Sequence, residues 1–573
     1  MVKGAFGPLL VYGPRSETYD FGPSHPLTPR RFGPAIDLLR AVGAEPGLAP
    51  EPAPDEDLLL CHTRAYLDAV RRLSADPFGP SEAGIGAGGD NPSFAGMHEA
   101  GAMVAGGSLR AVEAIIRGDT EHAFHPGGGL HHAMPTRASG FCIYDDPALA
   151  IARARSEGLR VLYVDLDVHH GDGVQQIHWR DPGVMTLSFH ETGRYLFPGS
   201  GFANELGEGE AAGTSINVPF EPFAGDEAWL PWVRAFVNQS AAAFGPDLVV
   251  SQHGCDSHVW DPLAHLRVTT TAMGEAARLV DRIAHRYAHG RWLATGGGGY
   301  DAYRVVPRTW AHVWLAGAHR DPPPAIPDAW RDRWVDEAGR YEQAPLPTTF
   351  DDLPNAGEPI DERAHEADTQ SSMRAASISV AVTPALILEA RQRGWWDPLA
   401  TVPEQTRLAP TGAGEPTILD PLTPESLDRL ALAPRTIPPA DPAVGRAILA
   451  AAVSDRSGAG PLVVAAVDGT VIVGIAIAAS RSHGHPRSLV GLGVTSAYRR
   501  HGLGTGLLSA IVDRAGGEMT ASITVAERDP IEPLDRSVRA AIARRMLERA
   551  GFRIEPAGTV SAIDPEAISA RKR

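Results

Sequence analysis

At 573 residues the chain is too long for one ordinary core and implies about two to four domains, while 43% apolar and 21% charged residues exclude disorder throughout. A net charge of −17, from 69 acidic against 52 basic residues, disfavours binding to nucleic-acid phosphates and acidic membrane surfaces. Three scattered cysteines, Cys61, Cys142 and Cys255, exclude a disulfide framework or a four-thiolate zinc site, so any metal must be held by histidines and carboxylates.

The segment MVKGAFGPLLVYGP lacks the apolar core of a signal peptide. The longest apolar run, Val471 to Ala479, is far short of the roughly 18 residues that span a bilayer. The expectation is a soluble cytoplasmic protein with no membrane or nucleic-acid partner. From about residue 100 to 318, helical stretches alternate with short β-branched runs and loops rich in Gly, His and Asp, the pattern of a parallel α/β sheet. Strands are predicted at Val161–Val164, Val184–Leu187, Leu248–Val250 and Trp292–Ala294, each opening at its carboxyl end onto polar residues. Pro-rich, acidic text follows from about 319 to 414, with one short helix predicted near VTPALILEARQRGWW. After Pro416 a second pattern begins: a hairpin around Asp468-Gly469, a strand Leu489–Val494, a Gly-rich turn, a helix from near Thr505 and a strand in MTASITVAE. The expected domains are 1–345, a linker 346–415, and a mixed α/β domain 416–573.

Chemistry concentrates at the strand ends of the first domain. Asp167 and His169, at i and i+2, share a face in extended geometry, and Asp256 follows another strand. Two carboxylates and one imidazole suit Zn²⁺ or Fe²⁺ at about 2.0–2.2 Å, with one position left for water. The tandem His131-His132 follows a Gly-rich turn, and Asp165 and Asp172 are placed to accept an imidazole N–H, as in general bases. Tyr300, after four glycines, offers a phenol to a developing oxyanion.

In order along the chain, GGGLHHA, ASGFC, DLDVHHGDGV, FPGSG, GCDS and GGGGY resemble the zinc-dependent histone deacetylase superfamily, and YDFGPSHPLTPRR with GGDNPSFAGM resembles its bacterial acetoin-utilisation branch. The resemblance covers roughly residues 8–320 and implies an arginase-like open α/β fold and hydrolysis of N-acetyl-lysine. It implies that Asp167, His169 and Asp256 are metal ligands, that Tyr300 stabilises the transition state, that His132 backed by Asp172 is the general base, and that His131 backed by Asp165 is its electrostatic partner. It further implies aromatic tunnel walls at Phe141, beside Gly140, and Phe197, a rim carboxylate at Asp90, and a buried potassium site at Asp165, Asp167, His169, Ser188 and Phe189. Members that hydrolyse acetylpolyamines carry an acidic gatekeeper; here Leu263 stands where one is sought, which favours acetyl-lysine in protein.

In the second domain, Arg500, His501, Gly502, Leu503, Gly504 and Thr505 form a Gly-rich turn at a helix start, where backbone N–H groups suit a pyrophosphate. With its hairpin and late LERAGF this segment, about 416–560, resembles the GCN5-related N-acetyltransferase family, which implies acetyl-CoA as cofactor. Many members place a tyrosine four residues before the late glycine to protonate the thiolate; this chain has Leu547, and Glu527 is the one general-base candidate. The combined expectation is a bifunctional enzyme acting on acetylated protein, with acetyl-CoA synthetase or a similar acyl-CoA ligase as a substrate by analogy. The alternatives are an acetylpolyamine hydrolase, and a deacetylase controlled by a catalytically silent acetyl-CoA sensor. The sequence leaves the oligomeric state open. Of the 52 basic residues only Lys3 and Lys572 are lysine, so lysine autoacetylation is restricted to these two.

Overall fold

The computed structural model describes residues 7–352 and 361–392, and in the C-terminal part 417–419, 422, 431–432, 462–468, 471–479, 487–494, 503–515, 519–523, 536–554 and 568–572. The chain divides into two compact units, one ending at Ser371 and the other running from Ser372, with residues 242–244 grouped with the second. No helix among the described residues is long and apolar enough to cross a membrane.

The first unit is built on strands β1 (Leu9–Val11), β2 (Pro46–Leu48), β3 (His122–His125), β4 (Val161–Asp165), β5 (Val184–Glu191), β6 (Ser215–Phe220), β7 (Leu248–Gln252) and β8 (Trp292–Thr295). They form one sheet in the order β2-β1-β3-β8-β7-β4-β5-β6, with every pairing parallel. The central strands β4 and β7 are buried along their whole length, as their unbroken apolar and β-branched text requires when helices cover both faces. Helices supply that cover. Met97–Arg117 packs on Asp146–Ser156, and Thr270–Tyr287 packs on Val306–Gly317. Starts are capped in sequence: Asp145 Oδ1 accepts from the N–H of Ala148, and Thr269 Oγ1 from that of Ala272. Because all strands run the same way, the loops after β3, β4, β7 and β8 gather at one end of the sheet.

The segment expected as a linker from 346 is partly built into this unit. The Asp352 carboxylate accepts from Arg308 Nη1 at 2.7 Å and from the Thr270 N–H at 2.8 Å, and faces His258 Nε2 at 3.0 Å. Instead of a short helix, a 31-residue helix spans Glu362–Gln392. Its Asp368 Oδ1 accepts from Gly225 N–H and its Ser371 hydroxyl from Glu221 N–H. The Asp352 and Asp368 carboxylates are thus used on backbone N–H groups and, at Asp352, on a buried arginine of the first unit.

The second unit holds β9 (Thr417–Leu419), β10 (Ala431–Leu432), β11 (Leu462–Asp468), β12 (Val471–Ala479), β13 (Arg487–Val494), β14 (Met519–Ile523), β15 (Arg553–Ile554) and β16 (Ile568–Lys572). Its sheet runs β15-β16-β14-β13-β12-β11-β9, with β10 beside β12. Strands β11 and β12 are antiparallel with Asp468 opposite Val471, the hairpin read from the sequence, whereas β13 and β14 are parallel. The helix Leu503–Ala515 buries Leu507, Leu508, Ile511 and Val512 in the core of this sheet.

Candidate active site

Four loops deliver the site. The turn after β3 is held by Asp146, a buried residue that the sequence reading passed over. Its carboxylate accepts from the N–H groups of Gly129 and Leu130, at 3.0 and 2.8 Å, and from the Ser108 hydroxyl. Burial pushes this carboxyl up to about 6 against those hydrogen bonds. The turn sets His131 and His132 side by side with ring centroids 4.0 Å apart. Each is backed by a carboxylate: His131 Nδ1 lies 2.8 Å from Asp165 Oδ2, and His132 Nδ1 lies 2.7 Å from Asp172 Oδ1. With Nδ1–H donating, each Nε2 is oriented towards the site.

The loop after β4 carries Asp167 and His169. The strand ends at Asp165, so the two do not share a strand face as the spacing suggested; the chain bends, with the His169 N–H donating to Asp167 Oδ1 at 3.0 Å. Asp256 comes from the loop after β7, and its Oδ1 accepts from the Val168 N–H at 2.9 Å. His169 Nδ1 lies 3.1 Å from both Asp167 Oδ1 and Asp256 Oδ2, and all three residues are buried. Two buried carboxylates meeting one imidazole nitrogen form a donor set that fits a divalent cation.

Gln252 was also missed. Its amide donates to Asp167 Oδ2 at 2.6 Å, as does the Gly298 N–H at 2.8 Å, so the outer oxygen of that carboxylate is fixed. A Cβ on Gly298 would stand 1.9 Å from Asp256 Oδ2, which explains glycine where the β8 loop passes the carboxylates. The same loop ends in Tyr300, whose N–H donates to Asp261 Oδ2 at 2.9 Å. Arg31, fully enclosed, holds the loop from beneath through Nη1 and the Gly297 carbonyl at 2.7 Å. No local signal in the sequence marks Gln252, Asp261 or Arg31, because each acts on a residue brought near only by folding.

The electrostatics separate the two histidines. Burial opposes charge on His131, but Asp165 and Asp167 prevail and push it up to about 10. Burial and the positive charge of His131 together lower His132 to about 4, with Asp172 opposing. Burial, reinforced by Asp256 and Asp167, holds the Tyr300 phenol well above its ordinary range, so it stays a donor.

A pocket opens above these groups, lined by Leu27, His131, His132, Gly140, Phe141, Asp167, His169 and Tyr300 among others. Phe141 stands edge-on to Tyr300 with centroids 5.9 Å apart, and Phe197 edge-on to His132 at 5.0 Å. Phe141 has φ +67, unusual for an aromatic residue, and is anchored by the Tyr19 hydroxyl, which donates to its carbonyl at 2.8 Å. Asp90 lies at the exposed rim, where its carbonyl faces His25 Nε2 at 3.2 Å, and His25 packs on Phe141 at 4.5 Å. Leu263 sits half-buried on the loop after Asp256, its N–H donating to Asp261, and does not line the pocket. Ser188 lies opposite Asp165 across β4 and β5, with Phe189 next along the strand.

In the second unit, Leu503, Gly504 and Thr505 form the first turn of a helix with no acidic residue there, and a helix start of this kind suits an anion. Arg500, His501, Gly502 and Glu527 lie outside the described residues. Leu547 is fully buried in the core of this unit.

Residues 25–316 match the histone deacetylase domain model, and residues 428–531 match the acetyltransferase (GNAT) family model. The chain is 43% identical over 361 residues to acetoin utilization protein AcuC of Bacillus subtilis, covering 61% of this chain and 92% of that one. It is 36% identical over 350 residues to AcuC of Staphylococcus xylosus, covering 60% and 90%. The crystal structure of an HDAC homologue from Aquifex aeolicus superposes with a TM-score of 0.54 at 26% identity, covering 64% of this chain and 99% of that one. A crystal structure of an HDAC homologue complexed with SAHA gives the same values.

Proposed function

Since the chain belongs to the histone deacetylase family and carries a C-terminal domain of the GNAT acetyltransferase type, we propose that its first unit hydrolyses N-acetyl-lysine in proteins and that its second unit binds acetyl-CoA. The reading rests on one observation above all: two histidine–carboxylate pairs, a three-ligand set and a phenol converge beneath a pocket lined by Phe141, with Phe197 edge-on to His132. Zn²⁺, or Fe²⁺, would be held by Asp167, His169 and Asp256 and would supply Lewis acidity to the amide carbonyl and to water. His132, neutral and oriented by Asp172, accepts the proton of the attacking water. His131, held as a cation by Asp165, keeps its neighbour neutral and faces the developing negative charge. The Tyr300 hydroxyl donates to the oxyanion of the tetrahedral intermediate. The imidazolium of His132 then gives its proton to the leaving amine, and acetate and free lysine part.

The oxygen-rich cluster of Asp165, Asp167, His169, Ser188 and Phe189 is proposed for K⁺, its donors being side-chain oxygens and main-chain carbonyls at the junction of β4 and β5. Asp90 is proposed to hold substrate backbone at the rim. Gly140 has φ +50, and a Cβ there would lie 2.4 Å from His132 Cδ2 and 2.8 Å from Phe197. Gly140→Ala accordingly lowers kcat/KM on an acetylated peptide by about 10-fold or more, since small displacements of a proton-transfer group are costly.

Acetyl-CoA synthetase, or a similar acyl-CoA ligase, is the proposed target, on the strength of the acetoin-utilisation relatives. The test compares lysine acetylation by mass spectrometry in cells carrying Asp256→Asn and wild type. Accumulating protein sites name the substrates; unchanged protein acetylation with accumulating acetylpolyamine replaces this reading with the small-amine one. A silent acetyl-CoA sensor is favoured by one observation, the buried Leu547 where many relatives carry a proton-donating tyrosine. Radiolabelled acetyl-CoA given to the full Asp256→Asn chain decides between them: label on protein lysines means transfer, and binding without label means sensing.

A further inference from the structure

At the end of β3 away from His131 and His132, four side chains from three separate parts of the first unit meet. His122 opens β3. Asp281 and His285 lie one turn apart on the helix Thr270–Tyr287, and His319 follows the helix Val306–Gly317. Asp281 Oδ1 is the common point: His319 Nε2 stands 3.2 Å from it, His285 Nε2 3.5 Å and His122 Nε2 3.6 Å. His285 Nε2 and His319 Nε2 are 3.0 Å apart, and one ligand atom from each of the four residues lies within 4.8 Å of all the others.

We propose that His122, Asp281, His285 and His319 form a second metal site, for a divalent transition cation of the Zn²⁺ class, that ties β3 to the two helices. Four of the six donor–donor distances, from 3.0 to 3.6 Å, suit the edges of a tetrahedron. Nitrogen and oxygen ligands about 2.0–2.1 Å from zinc stand roughly 3.3–3.4 Å from one another. Three imidazoles and one carboxylate select a borderline cation over Mg²⁺ or Ca²⁺, which take oxygen donors. Four protein ligands leave no open position, which is the pattern of a structural centre.

The tautomer of His122 points the same way. Its Nδ1 is 3.0 Å from the Gly317 carbonyl oxygen, which only an N–H can approach favourably, so the proton is on Nδ1 and the Nε2 lone pair faces the cluster. That Nε2 is buried, has no hydrogen-bond partner among the described residues, and faces a carboxylate oxygen. Two lone pairs aimed at each other repel unless a proton or a metal cation lies between them. The side chain of His122 is 6% exposed, and Trp292 packs edge-on against its ring, while His285 and His319 are 37% and 55% exposed and give an ion a way in. His319 also holds φ +54, a left-handed conformation that glycine or asparagine usually takes after a helix end. There it sets the imidazole over Asp281.

The test titrates full-length, metal-stripped protein with Zn²⁺ calorimetrically, and repeats the titration with Co²⁺ to read the ligand-field band of a tetrahedral centre. The double variant His285→Ala/His319→Ala binds one equivalent fewer than wild type. Asp256→Asn retains that equivalent, with its Co²⁺ band and its zinc-dependent rise in Tm. His319→Asn, which suits the left-handed backbone and so leaves the fold intact, weakens the same equivalent by on the order of 100-fold, the usual scale for a disturbed metal site. The same zinc stoichiometry and affinity in wild type and in both histidine variants overturns the site, as does a wild-type chain whose tetrahedral Co²⁺ band disappears in Asp256→Asn.

Discussion

Tyr300→Phe lowers kcat for hydrolysis of an acetyl-lysine peptide by about 10²–10³-fold, the cost of deleting one oxyanion donor in a dry site. The substitution is clean because the rest of the residue is held without the hydroxyl. Its N–H donates to Asp261, its carbonyl accepts from Gln343 Nε2 at 3.3 Å, and its ring stands against Phe141. The phenol remains protonated across the neutral range, since burial and the charges of Asp256 and Asp167 all oppose its ionisation. KM therefore changes little and the loss falls on kcat, as for an interaction made only in the transition state. A variant within about threefold of wild type would falsify an oxyanion role for Tyr300.

His132→Ala removes the proposed general base and lowers kcat by about 10²–10⁴-fold. The pairings make His132 and His131 unequal. His131 is bound to Asp165 Oδ2, which also accepts from the Tyr163 hydroxyl at 2.8 Å, and lies 3.8 Å from Asp167; this concentration of carboxylates pushes its imidazole up to about 10 against burial. His132 has Asp172 alone and sits beside that cation. Asp172→Asn leaves the imidazole in place but loosens its tautomer, so its loss is smaller than that of His132→Ala. Equal activity of His132→Ala and wild type, or a far larger loss in Asp172→Asn than in His132→Ala, transfers the base to another residue.

The only two lysines bear on self-modification. Lys572 lies on β16, where its Nζ donates to the Ala550 carbonyl at 3.1 Å, and Lys3 lies outside the described residues. Arginine keeps the positive charge elsewhere without a primary amine.

Much of this molecule was legible in its residues because the signals are local. Continuous β-branched runs ending in polar loops describe buried parallel strands wherever they occur, and β4, β5, β7 and β8 follow from four such runs. The Asp468-Gly469 hairpin is equally local. The ligand types and the tandem histidines stand in short motifs, so they were nameable before any distance was known. The short strands β1 and β2, three residues each, carry no periodicity to detect, and the helix through Glu362–Gln392 was hidden by acidic text.

What the sequence determined by itself was therefore the alternation of strand and helix, the inventory of chemical groups at the strand ends, and the division into two domains of different pattern. Only the tertiary structure decided which groups meet. Asp167 is held by the N–H of Gly298 from 131 residues away and by Gln252 from 85, and His122 faces Asp281 and His319 across three separate parts of the chain. The physical reason is the sheet order β3-β8-β7-β4, in which crossover connections make neighbours of strands remote in sequence. Pairings of that kind have no local signature. They create one cluster where the strands end and a second where β3 begins.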